Sequence, residues 1–341
     1  MKTFFHPAQR LHHPRSYLSR GQMRSPQELP ARVDPLLAVV EQLGYPLIEP
    51  DDHGEQPLLA VHSPAYLEYL RTAYQQWHEV PEDWGDEVMS NIYIREGNPL
   101  RGILGKTARY LADGSCPIGE HTWQAAYWSA QSAVAAARAV MDGEPAAYAL
   151  CRPPGHHARE EGAGGFCFLN NAAIAAQVLR ESFAKVAILD SDMHHGQGIQ
   201  EIFYERDDVL YVSIHGDPTN FYPVVAGFDD ETGKGAGEGY NLNLPMPHGS
   251  SEADFFARMD QAEAALRNFA PDVLVLSLGF DIYENDPQSK VAVSHTGFHE
   301  LGRRIGNLGL PCVVVQEGGY DIATLDENAR QFFTGMSAAR E

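Results

Sequence analysis

The chain has no run of about 18 consecutive apolar residues, so no segment reads as a membrane-spanning helix. Its opening stretch, MKTFFHPAQRLHHPR, has no apolar block of secretory-signal length. Cysteine is scarce. Cys116, Cys151, Cys167 and Cys312 stand far apart with no C-x-x-C pair, which predicts free buried thiols rather than a disulfide frame. Basic residues are also few, 25 against 46 acidic, for a formal net charge of −21. Such a field repels nucleic acid and anionic membrane surfaces and favours cations, although acidity also serves solubility alone. Repeats, low-complexity tracts and dividing linkers are absent. With 341 residues, 44% of them hydrophobic, the chain can bury a substantial core. The expectation is a cytoplasmic protein with neither nucleic-acid nor membrane partner, folded as a single domain over 1–341.

Short apolar runs rich in β-formers recur at 146–151, 185–190, 209–215, 240–245, 272–279 and 310–316. Between them, helical patterns cover roughly 123–142, 170–182, 251–269 and 294–308. Nearly continuous apolar strands alternating with helices predict an α/β fold with a largely parallel sheet covered on both faces. Residues 16–32 and 79–121 lack periodicity and read as long loops, which in compact enzymes are often functional.

Three strand ends carry chemistry. AILDSDMHHGQG, 187–198, runs an apolar strand into Asp190, Asp192, His194 and His195. In an extended segment Asp190, Asp192 and His194 share a face and His195 points elsewhere. The strand DVLVLSLG delivers Asp281. Asp192, His194 and Asp281 together make a three-ligand set that leaves a coordination position free, as catalytic metal sites do. Taken singly, each acid also fits an N-cap or a turn. CRPPGHHAREEGAGGFCFLNN, 151–171, presents tandem His156 and His157, suited to acid–base work near neutral pH. VVVQEGGYD, 313–321, presents Tyr320, a phenol able to stabilise an oxyanion or simply to pack.

In this order and spacing RPPGHH, GGFCFLNN, DSDMHHGQG, SLGFD and EGGY resemble the arginase/deacetylase superfamily, specifically its zinc-dependent histone-deacetylase-like amidohydrolases. The match runs from Arg32 to just beyond Tyr320. The resemblance implies a single α/β domain with a central, mostly parallel sheet of eight strands flanked by helices. It implies that Asp192, His194 and Asp281 hold one catalytic Zn²⁺, with Fe²⁺ as an alternative at such an N/O site. It makes His157 the general base and then acid, and His156, oriented by Asp190, the companion that stabilises charge. Tyr320 becomes the oxyanion donor. Phe166 and Tyr222 match the aromatic pair lining the acyl tunnel, with Tyr222 in place of the usual Phe. A structural K⁺ is implied at Asp190 and Asp192 with backbone oxygens of His194, Ser213 and Ile214, and a second monovalent ion near Phe203, Arg206, Val209 and Tyr240.

Gln197, the expected partner of His157, stands where the family commonly has Asp or Asn. HGDP and ETGKGAGEG look most like the bacterial acetylpolyamine amidohydrolase branch. That branch uses an insertion, matching about 81–121 here, to form a homodimer that narrows the mouth. The implied substrate is a small acetylated amine such as an acetylpolyamine. Against this, the amino-terminal loop carries Arg10, Arg15, Arg20 and Arg24, and Tyr17 stands at the position of that branch's glutamate. Deacetylation of acetyl-lysine or other acylated amides is the alternative. An arginase-type ureohydrolase and a catalytically silent binding protein are more remote.

Overall fold

The computed structural model describes residues 1–94 and 100–340. One eight-stranded sheet organises them: β1 (Lys2–Phe4), β2 (Leu47–Ile48), β3 (Ala146–Ala149), β4 (Val186–Asp190), β5 (Val209–Gly216), β6 (Asn241–Met246), β7 (Val273–Leu278) and β8 (Cys312–Gln316). Their spatial order is β2-β1-β3-β8-β7-β4-β5-β6, and every neighbouring pair is parallel. The six strands predicted from apolar runs are all present within a few residues. The two extra strands at one edge, β1 and β2, are too short to leave a periodic signature.

Alternation along the strands explains the layering. Val186, Ile188, Val273, Val275, Val313 and Val315 face one buried layer, which includes the helices Thr122–Met141 and Asn171–Leu179. Ala187, Leu189, Leu274, Leu276, Cys312 and Val314 face the other, against Glu252–Phe269, His295–Asn307 and Leu325–Ala338. Both faces are dry, so the strands can be apolar at every position. All four cysteines are buried free thiols. Among the described residues no helix is long and apolar enough to cross a membrane.

The two stretches read as loops are more ordered than their composition suggests. Residues 17–24 form a hairpin, Tyr17–Ser19 against Gln22–Arg24. Within 81–121, residues 95–99 lie outside the described residues; the rest includes the helix Gly102–Tyr110 and a bridge between Val88 and Ile118. Ala112 N donates to Ala163 O at 2.7 Å and Ala163 N to Tyr110 O at 2.8 Å. These bonds tie 81–121 to the segment after the tandem histidines.

Candidate active site

Five adjacent strands, β3, β8, β7, β4 and β5, end on the same side, and their carboxyl ends carry the site. This is the place where open α/β sheets collect ligands. The strand β4 stops at Asp190, so simple alternation does not orient residues 191–195. Asp192 N instead donates to Asp190 Oδ1 at 3.2 Å, and His194 N to Asp192 Oδ1 at 2.9 Å, folding 190–194 into a turn. Asp281, just past β7, accepts from Met193 N at 2.9 Å. His194 Nδ1 lies 3.3 Å from Asp192 Oδ1 and 3.1 Å from Asp281 Oδ2.

One ligand atom from each of Asp192, His194 and Asp281 falls within 4.8 Å of the others, and all three residues are buried. A Cβ on residue 318 would lie 2.6 Å from Asp192 Oδ2 and 2.7 Å from Asp281 Oδ2, so glycine there lets the backbone floor the cluster. Two buried carboxylates this close repel. Burial, then the facing charge of Asp192, pushes Asp281 up to about 7. An oxygen, a nitrogen and a second oxygen converging with excess negative charge fit a divalent cation.

The histidines come from the loop after β3. His156 Nδ1 donates to Asp190 Oδ2 at 3.0 Å, and the same oxygen accepts from Tyr211 OH at 2.9 Å. Burial alone would lower His156, but the carboxylates of Asp192 and Asp190 raise it to about 10. His157 Nδ1 meets Gln197 Oε1 at 2.7 Å. Burial, then the neighbouring His156 and His194, holds His157 well below the ordinary histidine value. The two imidazoles, 3.8 Å apart between ring centres, are therefore pushed in opposite directions.

Residues beyond β8 complete the wall. Tyr320 N donates to Asp286 Oδ2 at 2.6 Å, and Phe166 stands 5.9 Å from the Tyr320 ring, edge on. Burial keeps the Tyr320 phenol well above its ordinary pKa, so it carries its proton. Beneath it Glu317 accepts from Gly155 N at 2.7 Å, His156 N at 3.1 Å and Ser277 Oγ at 2.9 Å.

The histone deacetylase domain family matches residues 25–336. The chain belongs to that family. An acetylpolyamine amidohydrolase of Burkholderia pseudomallei is 68% identical over the full length of both chains. Acetylpolyamine amidohydrolase 1 of Pseudomonas aeruginosa is 42% identical over 99% of each. The crystal structure of an acetylpolyamine aminohydrolase from B. pseudomallei superposes with a TM-score of 0.99, at 68% identity and full coverage of both chains.

In this histone deacetylase domain, the expected residues His156, His157, Asp192, His194, Asp281, Asp190, Gln197, Phe166, Tyr222 and Tyr320 all gather at one end of the sheet. A cavity of about 980 Å³ opens there, lined by His157, His194, Phe166, Tyr222 and Tyr320 and rimmed by the 17–24 hairpin. Ser213 pairs with Asp190 across β4 and β5, and its Oγ is engaged with His215 Nδ1 at 2.8 Å. Asp113 and Tyr211 are polar neighbours of these residues that no sequence motif singles out. Asp113, within 81–121, accepts a hydrogen bond from the Tyr222 hydroxyl at 2.7 Å. Only the topology brings these two residues in.

Proposed function

We propose that this chain is a zinc-dependent amidohydrolase that removes the acetyl group from small acetylated amines of the acetylpolyamine class. The observation that carries this reading is the three-donor cluster beside two imidazoles of opposed protonation, with His194 of the cluster and His157 of the imidazoles lining one cavity. Asp192, His194 and Asp281 would hold the ion, which when bound supplies Lewis-acid polarisation of the acyl carbonyl and a more acidic water. His157 is neutral and receives the water proton, then returns it to the departing amine. His156 stays charged beside Asp190 and stabilises the negative charge that develops. Tyr320, a protonated phenol, donates to the oxyanion. Phe166 and Tyr222 flank the acyl chain.

The same reading gives K⁺ to Asp190 and Asp192 with main-chain oxygens of His194, Ser213 and Ile214. It also makes the protein a cytoplasmic homodimer joined through 81–121. Exposed Trp84, Ile92 and Tyr93 in that insertion support the dimer. The substrate class rests on full-length likeness to proteins named acetylpolyamine amidohydrolases. Rates on acetylputrescine and acetylspermidine should exceed those on an acetyl-lysine peptide in kcat/KM. A faster peptide would overturn the polyamine assignment and leave a deacetylase. Full activity after thorough demetallation would overturn the mechanism.

A further inference from the structure

Gln197 and Tyr222 both depart from the family pattern, and they touch: Gln197 Nε2 lies 3.2 Å from the Tyr222 hydroxyl. The touching pair ends on a carboxylate of the insertion. We propose that Asp113 is a positioning residue for His157, fixing through Tyr222 and Gln197 which imidazole nitrogen carries the proton. The proposal rests on the reading of His157 as the proton-transfer group.

Counting protons fixes the direction of these hydrogen bonds. Asp113 is acceptor only: Oδ2 receives Tyr222 O–H at 2.7 Å and Gly165 N–H at 3.2 Å, and Oδ1 receives Ser115 N–H at 2.8 Å. Tyr222 has one proton, kept on oxygen because burial, then the Asp113 charge, pushes the phenol well above its ordinary value. That proton is committed to Asp113, so the Tyr222 oxygen can only accept from Gln197. The Gln197 amide must then turn its Nε2 to Tyr222 and its Oε1 to His157. An acceptor 2.7 Å from Nδ1 requires Nδ1 to carry hydrogen, which leaves Nε2 with its lone pair free.

The opposite sense is frustrated. A flipped amide would set Oε1 against a Tyr222 oxygen whose proton is already given, and NH₂ against Nδ1. Ring rotation offers no escape, because the imidazole is confined. A Cβ on residue 165 would lie 2.3 Å from His157 Cδ2, and the Tyr222 ring stands edge on at 4.7 Å. The tautomer is the freedom that remains, and hydrogen-bond direction selects it. Two neutral links carry that direction from a carboxylate without placing the carboxylate itself against the imidazole.

The test uses zinc-loaded protein with ¹⁵N-labelled histidine, parent against Tyr222→Phe, Asp113→Ala and the double variant. In the parent at neutral pH, the His157 signals should report protonated Nδ1 and bare Nε2. Each single variant should move both shifts toward a tautomer mixture and lower kcat roughly 10-fold, as loss of partners that orient metal-bound histidines does. The double variant should lose no more than the worse single one, since both cut the same chain of hydrogen bonds. Asp113→Asn, which keeps an acceptor and disturbs the local turn least, should retain more of the parent signature than Asp113→Ala. Unmoved His157 shifts in both single variants, or losses that multiply in the double, would overturn the proposal. The spectra need no substrate, so a parent that shows the locked tautomer yet hydrolyses no acetyl amide would sink the proposed function and leave the relay standing.

Discussion

The Arg32 guanidinium lies over the Tyr320 ring, 5.0 Å from its centre, while holding the backbone that presents that ring. Arg32 Nη2 donates to Glu317 O and Nε to Gly319 O, each at 2.6 Å. Its planar fork thus spans the turn after β8, which a single ammonium does not reproduce. Tyr320→Phe should lower kcat by roughly 100- to 1,000-fold, the scale for losing an oxyanion donor, with little change in thermal stability. Arg32→Lys should lower kcat by less than Tyr320→Phe but reduce the melting temperature as well. An Arg32→Lys variant with parental kcat would return the stacked guanidinium to a purely structural part.

Arg32 is one side of a buried ion cluster. Glu28 lies 3.0 Å from Arg32 Nη1 and 2.8 Å from Arg152 Nε, and all three are essentially inaccessible. Burial alone would raise Glu28, but Arg152 and Arg32 together hold it below the usual carboxylate value. Glu28→Gln leaves two guanidinium groups without their counter-charge and should cost about 3–5 kcal/mol in urea unfolding. The depressed value sets the sign with pH. The carboxylate's contribution is present above the unfolded pKa and is lost as pH falls through the folded one. The parent's advantage over Glu28→Gln should therefore shrink on acidification, and an advantage that grew would contradict the assignment.

Where the site was legible in the sequence, the reason is local. The neighbouring strands β4, β7 and β8 are buried along their whole length and almost wholly apolar, so they stand out as short runs, and Asp190, Asp281 and Tyr320 lie at or just beyond their ends. His156–Asp190 and His157–Gln197 were expected as pairs and meet at 3.0 and 2.7 Å. Nothing local marks Asp113: it precedes a turn closed by Ser115 N and reaches Tyr222 across 109 positions. The hairpin at 17–24 is hidden for another reason. Its second strand, Gln22–Arg24, is fully exposed and carries no apolar alternation.

The metal cluster predicts a pH dependence. Without a cation, Asp281 is raised to about 7 by burial and by Asp192. Burial would lower His194, but hydrogen bonds to Asp192 and Asp281 raise it to about 9. Above its ordinary value of 3.8, Asp281 keeps a proton that the unfolded chain has released, so this group makes the metal-free fold less stable as pH rises toward 7. The stability contributed by protonated His194 is full below its ordinary 6.5 and is lost as pH rises through about 9. Both protons must leave before the three atoms can hold a cation. The rise in melting temperature on adding Zn²⁺ should therefore grow between about pH 6 and about pH 9, with proton release in calorimetry. A zinc effect that weakened over that range would place the ion elsewhere.

The mouth of the cavity makes a charge prediction that runs against the chain's net acidity. Among the described residues lining it, Arg20 and Arg24 carry positive charge and Asp113 the one carboxylate, already committed to Tyr222, Gly165 and Ser115. A polyamine substrate keeps its free ammonium groups at the mouth while its acetyl end is inside. At roughly 10 Å in water each arginine repels one ammonium by about 0.4 kcal/mol, a factor of about two in binding. Replacing Arg20 and Arg24 together by Ser should lower KM for acetylspermidine about fourfold at low ionic strength, counting only the nearer of its two free ammonium groups, and leave kcat nearly unchanged, because neither group reaches the reacting bond. Added salt should erase the difference. A neutral acetylated amide of similar length serves as the control and should show no shift. If KM for acetylspermidine rose instead, these arginines would be contacts for substrate and the bound amine would lie along a different wall.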